Sequence, residues 1–463
     1  MVIETKSQEP FRLKDANGQT QTFDRTSADL KHFTGRFIQE NQQFSKQFFH
    51  VYSCRLEELR PVLVENAHKK WGKDVKILKL AEVENFENER CAIIGTLFKH
   101  QLWKPSILRE LNEDAQEAGL IPEKHENYTS DKDIPFLEDE MLRIKIVGPK
   151  VEISDVVTGI VVALLGKKLE DGTFEVEDWC YPGCVPKSPP KGPISEGKIL
   201  LVSGLDLAHY SDTLALGLFT EWITGMAGSL PAQEETSSIV NLIIIGNSVK
   251  ATSSDSHTTT KGLMTNRALE SAETSEIASA VKKLDELLSD ILEHCHVTLM
   301  PGQHDPTNLM LPQKPINRFM LQSAHKYETF KGAHNPWLGS IGGRIIAGSS
   351  GQPIEDIMRV CGERNTKSPL EWLETTLEWR HYCPTAPDTL PSYPYHDKDL
   401  FIMQECPDIY FVGNTDKFES KIFKGENGAE VRLISVPKFS STSTAVVLDL
   451  KSLDTSPIYF GNN

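Results

Sequence analysis

The stretch that decides the fold runs Val297-Thr298-Leu299-Met300-Pro301-Gly302-Gln303-His304-Asp305. A short aliphatic run is halted by Pro-Gly, and polar side chains follow at once. Three other stretches share this layout: Lys198-Ile199-Leu200-Leu201-Val202-Ser203-Gly204-Leu205-Asp206, Asn241-Leu242-Ile243-Ile244-Ile245-Gly246-Asn247 and Ile409-Tyr410-Phe411-Val412-Gly413-Asn414-Thr415-Asp416. None alternates strongly, so each reads as a strand buried on both faces. Gly or Pro then turns the chain and sets the polar residues at the edge of a sheet. Between these strands lie helical patterns, and the alternation predicts an α/β layered domain over 198–463.

The turn sequences resemble the strand-end motifs of calcineurin-like metallophosphoesterases, which run Asp-x-His, Gly-Asp, Gly-Asn-His-Asp/Glu and Gly-His-x-His. Here they read Gly204-Leu205-Asp206, Gly246-Asn247, Gly302-Gln303-His304-Asp305 and Gly413-Asn414-Thr415-Asp416. The second motif has lost its bridging Asp, the third its metal-binding Asn, and the fourth both histidines. A two-metal centre needs anionic and imidazole ligands to neutralise its ions and activate water. Only His304, Asp305 and His381 remain as candidates, and the resemblance implies that His304 is not itself a ligand. The resemblance thus implies the fold without the hydrolase, and no catalytic, cofactor-binding or metal-binding residue is assigned. Gln303, His304, His381 and Asp416 are expected to form a hydrogen-bonded polar cluster without metal.

Flanking strings narrow the resemblance. Met300-Pro301-Gly302-Gln303-His304-Asp305-Pro306-Thr307-Asn308 and Arg380-His381-Tyr382-Cys383-Pro384-Thr385-Ala386-Pro387-Asp388-Thr389-Leu390 are similar to the B subunits of replicative DNA polymerases. Lys104-Pro105-Ser106-Ile107-Leu108-Arg109-Glu110 and Phe44-Ser45-Lys46-Gln47-Phe48-Phe49-His50-Val51-Tyr52 resemble the DNA polymerase delta branch of that family.

The 463 residues carry 49 Lys and Arg against 65 Asp and Glu, a formal net charge of −16, which opposes a primary role in gripping phosphate backbones. Eight cysteines are scattered without Cys-x-x-Cys pairs, so reduced thiols are expected rather than a zinc site. The start of the chain lacks a signal-like apolar core and no apolar run reaches membrane-spanning length, which predicts an intracellular protein.

Residues 1–43 are polar and aperiodic and read as a flexible tail. Within 44–71, Phe48, Val51, Tyr52, Leu56, Leu59 and Leu63 recur at three and four, predicting one or two amphipathic helices broken near Pro61. Strand-like runs at 91–98, 141–146, 156–165 and 174–179, the last two joined by Glu170-Asp171-Gly172, predict a small closed barrel. The resemblance makes it an OB-fold, so that 44–185 is the helical segment and barrel. Residues 91–185 hold 10 basic and 18 acidic side chains, which favours an interaction barrel over a strand-binding one. The prolines of 186–197 mark a linker. Ile277, Val281, Leu284, Leu288 and Ile291 stripe a long helix, Ser368-Pro369-Leu370-Glu371 is a capping box, and 252–262 is a polar loop. No P-loop or Gly-x-Ser-x-Gly elbow is present.

By resemblance the chain is a non-catalytic scaffold in a nuclear replicative polymerase, acting in DNA replication and repair. Its implied partners are the cysteine-rich C-terminal module of the delta catalytic subunit and a third, clamp-binding subunit, with no membrane and little direct DNA contact. No cofactor is implied for the chain itself. The alternatives are the B subunit of polymerase alpha or epsilon, an active metal-dependent phosphoesterase, and a single-strand-binding OB module.

Overall fold

The computed structural model describes residues 23–38, 47–86, 88–104, 127–189, 192–210, 212–250, 266–425 and 428–461. Residues 1–22 and 39–43 of the expected tail, the 252–262 loop, Pro105 to Glu110 and Phe44 to Lys46 lie outside them.

The described part of the expected tail is built into the protein. Strand β1 (Leu30–His32) pairs antiparallel with a later strand. Arg25 donates to the carbonyls of Ile223 and Ile239 at 2.6 and 3.1 Å, and Phe37 is buried against Tyr382. These anchors are single residues spread through a polar stretch, so they leave no periodicity to read.

Helix α1 (Phe49–Trp71) is one continuous helix through Pro61. Pro61 lies on its exposed face, where a carbonyl left without its donor can be hydrated. The opposite face, Leu56, Leu59, Leu63 and Ala67, packs on Ile94, Val161 and Ala163 of the barrel. That barrel consists of β2 (Ile77–Leu78), β3 (Cys91–His100), β4 (Ile134–Glu138), β5 (Arg143–Val147), β6 (Val161–Lys168) and β7 (Phe174–Cys180). Its strands run β2-β3-β4-β5-β7-β6, and β6 returns to pair with β3 and closes the ring. Strand β4 stands in what reads as insertion, because Pro135 hides its period. The run expected from 156 starts at Val161, since Thr158-Gly159 turns the chain first.

The C-terminal part has four layers. One sheet comprises β8 (Lys198–Val202), β9 (Ile239–Ile245), β10 (Val297–Met300), β11 (Phe330–Gly332), β17 (Thr444–Asp449) and β18 (Thr455–Tyr459), in the order β11-β10-β9-β8-β17-β18. The other adds β12 (Trp337–Ile341), β13 (Arg344–Ser349), β14 (Ile409–Thr415), β15 (Glu419–Lys424) and β16 (Glu430–Pro437) to β1, in the order β1-β12-β13-β14-β16-β15. Strands β8, β9, β10 and β11 are mutually parallel, as are β13, β14 and β16. The sheets face each other through Ile199, Leu201, Ile243, Ile245, Ile346, Phe411 and Ile434. Alternate residues point outward: Leu200, Val202, Leu242 and Ile244 meet Leu284, Leu288 and Ile291 of the long helix Asn266–Leu292. Ala347, Tyr410, Val412 and Leu433 meet the helices Gln352–Cys361 and Pro369–Glu378. Ser368 and Glu371 cap the latter helix reciprocally. The same apolar cluster continues into the barrel through Leu97, Val157, Ile160 and Val162. No described helix is long and apolar enough to cross a membrane.

Candidate functional site

Strands β8, β9 and β10 run together, as do β13, β14 and β16, and a parallel bridge from Ser203 to Lys438 joins the ends of β8 and β16, so the C-terminal turns of both sets converge at one edge, the usual place for ligands in α/β folds. They frame a cleft of about 470 Å³ whose lining includes Asn247, Gln303, His304, Asn414, Asp416 and Lys438. Asp206 and Asn247, in the turns after β8 and β9, and Asn414, at the irregular end of β14, hold φ of +49°, +52° and +58°, a left-handed conformation uncommon outside glycine. The turns therefore keep a tight, specialised backbone.

Their side chains hold the loops to one another. The Asp305 carboxylate accepts the N–H groups of Val249 and Gly302, both at 2.8 Å. Burial pushes its pKa up against the backbone N–H bonds of the second turn, which favour the ionised form. Asn247 Oδ1 accepts the His304 N–H at 3.1 Å. Asn414 donates its Nδ2 to the carbonyls of Ile245 and Ser350 at 3.0 and 2.8 Å, while its own N–H reaches Ser203 Oγ at 2.9 Å. Behind them Asn335 Nδ2 lies 2.8, 2.6 and 2.9 Å from Gln313 Oε1, Ser350 Oγ and Gln352 Oε1 and shares its two protons among them, a buried amide network. Gly302 permits the closest approach: a Cβ there would stand 2.2 Å from the Asn247 nitrogen.

The expected cluster of Gln303, His304, His381 and Asp416 does not assemble. His304 is half-buried in the cleft, its basicity lowered by burial. Asp416 is 96% exposed at the rim, 3.5 Å from Lys438. His381 is in a different place, fully buried at the barrel junction. Its Nδ1 accepts the Cys383 N–H at 3.1 Å, which puts the ring proton on Nε2, donated to Asp399 at 2.9 Å. Burial and the nearby Arg55 charge lower its pKa to about 4, so the ring is neutral. Helix Pro369–Glu378 ends facing the barrel rather than the cleft, and so carries His381 there. Among the described residues, no group of three or more His, Cys, Asp or Glu is placed to hold a metal ion.

Arg55 is the residue that sequence reasoning missed. It donates Nε to Asp399 at 2.6 Å, Nη1 to the carbonyls of Gly159 and Pro384 at 2.6 and 2.9 Å, and Nη2 to Ala386 at 2.8 Å. Arg55 and Asp399 are 1% and 0% exposed. Although burial opposes ionisation, Arg55 and the His381 hydrogen bond hold the Asp399 carboxyl far below the usual range. The signal was present in Val51-x-x-x-Arg55-x-x-x-Leu59-x-x-x-Leu63, a charge set inside an apolar helical stripe. Gly159 lets the chains meet: it has φ of +93°, and a Cβ would lie 2.2 Å from the Pro384 oxygen.

Comparison with known sequences agrees with this two-part architecture. Residues 47–179 match the family described as the DNA polymerase delta subunit OB-fold domain, and residues 199–420 match the family described as the B subunit of DNA polymerase alpha/epsilon. The chain is 38% identical to DNA polymerase delta subunit 2 of Drosophila melanogaster, covering 94% of this chain and 98% of that one. Identity is 35% to the DNA polymerase delta small subunit of Arabidopsis thaliana, covering 94% and 96%. It is 30% to that of Saccharomyces cerevisiae, covering 90% of each.

Proposed function

The chain belongs to the DNA polymerase delta small-subunit family, and from that premise we propose that it is a non-catalytic scaffold within the polymerase. It docks the cysteine-rich C-terminal module of the catalytic subunit, binds a third, clamp-binding subunit, and acts in the nucleus in replication and repair. The observation that carries this reading is the likeness running through barrel and layered domain alike, at near-full coverage of relatives named as delta small subunits.

The cleft supports the non-catalytic part. A two-metal hydrolase needs free anionic and imidazole donors on its strand-end turns. Here Asn414 is engaged with backbone groups, Asn247 accepts the His304 N–H, and Asp305 is buried against backbone N–H groups. These residues do not fit a metal pair, and the turns serve as internal bracing. The net charge of −16 suits a subunit held beside DNA rather than on it.

The test is native purification of the tagged chain from its own cells in moderate salt, with mass spectrometry of what remains bound. The expected result is near-equal recovery of a polymerase delta catalytic subunit and of a third subunit. Recovery of an alpha or epsilon catalytic subunit, or of the chain alone with tightly held manganese, iron or zinc and phosphodiesterase activity, overturns the proposal.

A further inference from the structure

Two cysteines far apart in sequence meet where the barrel exits toward the layered domain. Cys184 follows β7 at the start of the proline-rich segment, and Cys406 lies in the loop leading into β14. Their Sγ atoms are 3.7 Å apart, both in the thiol state. The other six cysteines divide into Cys91, Cys180, Cys295, Cys361 and Cys383, which are buried, and Cys54, which is half-buried. Three of these turn their sulfur to a carbonyl oxygen: Cys54 to that of His396, Cys180 to that of Tyr181 and Cys295 to that of His296.

Cys184 also lines a cleft of about 480 Å³, together with Asn66, Lys69, Lys70, Tyr181 and Lys424. A small neutral oxidant can therefore reach Cys184, behind which Cys406 is buried. The sulfurs need to close by less than 2 Å to reach the bond length of about 2.05 Å. We propose that Cys184 and Cys406 form a peroxide-sensitive dithiol that oxidises to a disulfide and locks the barrel exit to the layered domain.

The chemistry balances with hydrogen peroxide as the two-electron oxidant. The Cys184 sulfur attacks one peroxide oxygen, the O–O bond breaks, and the departing hydroxide takes the Cys184 thiol proton to become water. The Cys406 sulfur then attacks the Cys184 sulfur, the S–O bond breaks, and the departing hydroxide takes the Cys406 thiol proton, so that a second water leaves as the S–S bond forms. Both sulfurs are oxidised and both peroxide oxygens reduced. The two sulfurs share one S–H···S contact, so the proton leaving either is passed within the pair. Cys184, on the cleft wall, is thus the thiol oxidised first, and the buried Cys406 behind it is the resolving thiol.

The lock matters because these residues lie 222 positions apart and adjoin strands of different sheets. A bond between them removes far more freedom from the unfolded chain than a local crosslink does. It also fixes the loop that takes Arg36 of the N-terminal segment through the Ile402 carbonyl and Glu405.

The test treats the purified full-length chain with hydrogen peroxide, blocks remaining thiols, and maps the non-reduced digest by mass spectrometry. The expected result is a Cys184–Cys406 linked peptide pair. Intact mass should fall by two hydrogens, and the melting temperature should rise in a way that dithiothreitol reverses. A Cys184→Ser variant, checked to melt like the parent in reductant, should give no linked pair and no peroxide-dependent rise in melting temperature. Persistence of both thiols, pairing of either with another cysteine, or a linked pair without any change in melting would overturn the proposal.

Discussion

Replacing Arg55 by Met should be among the most damaging single changes in the protein. The arginine is 1% exposed and its partner Asp399 is 0% exposed, so neither side chain can turn to solvent. Met preserves much of the apolar stem but abandons one carboxylate and three carbonyls, those of Gly159, Pro384 and Ala386. Asp399 would keep only the His381 Nε2–H and the Phe401 N–H, each at 2.9 Å. Removing one partner of a buried ion pair costs about 3–5 kcal/mol, because the remaining charge is stranded. Each orphaned carbonyl adds about 1 kcal/mol where water does not reach it. The loss is a large share of a typical stability of about 5–15 kcal/mol. The double variant R55M/D399N carries no buried charge and should be more stable than R55M, with a coupling of about 1–3 kcal/mol. Lys at position 55 can reach Asp399 but cannot serve three carbonyls with a planar fork, so R55K should fall between parent and R55M. The assay is urea unfolding of the full-length chain followed by tryptophan fluorescence. A loss under about 1 kcal/mol for R55M, or additivity of the two substitutions, would refute the reasoning.

The bracing of the strand-end turns gives further expectations. Asp305→Asn exchanges an acceptor oxygen for a donor that faces the Val249 and Gly302 N–H groups, and should cost about 1.5–3 kcal/mol by chemical denaturation. Gly302→Ala forces a methyl against the backbone of Asn247 and should lower stability by about 1–3 kcal/mol or more, with a matching fall in melting temperature. His381, neutral in the fold with its pKa lowered to about 4, takes up a proton in the unfolded chain at about 6.5. Its contribution is therefore full above about pH 6.5 and declines by about 3 kcal/mol as pH falls to about 4. His32, also lowered to about 4, adds to the slope in the same direction, so the difference between parent and His381→Gln isolates the His381 share. Parallel pH profiles for the two proteins would contradict the assignment.

The layered domain was legible because its four central strands are unbroken aliphatic runs, and burial on both faces leaves a strong signature in sequence. The barrel was partly legible: β3, β5, β6 and β7 were visible, while Ile134–Glu138 was masked by a proline within the strand and by the long insertion before it. Helix α1 reads correctly on its apolar face, yet Pro61 points to a break because sequence cannot say that this turn faces solvent. The order imposed on Arg25, Leu30–His32 and Phe37 depends on partners two to four hundred residues away, which local pattern does not encode. The misplacement of His381 has the same origin. The expectation grouped it with Gln303, His304 and Asp416, but the tertiary contacts of Arg55 and Asp399 decide where its side chain goes. Polar residues at strand ends are easy to find; whether they meet substrate or one another is fixed by distances that only the fold supplies.

Co-expression with the catalytic subunit of DNA polymerase delta, followed by size-exclusion chromatography in moderate salt, tests the central claim most directly. The account predicts stoichiometric co-elution that is lost when the cysteine-rich C-terminal module of the catalytic subunit is deleted. Elution of the two chains apart, with the intact catalytic subunit folded and active, would contradict it.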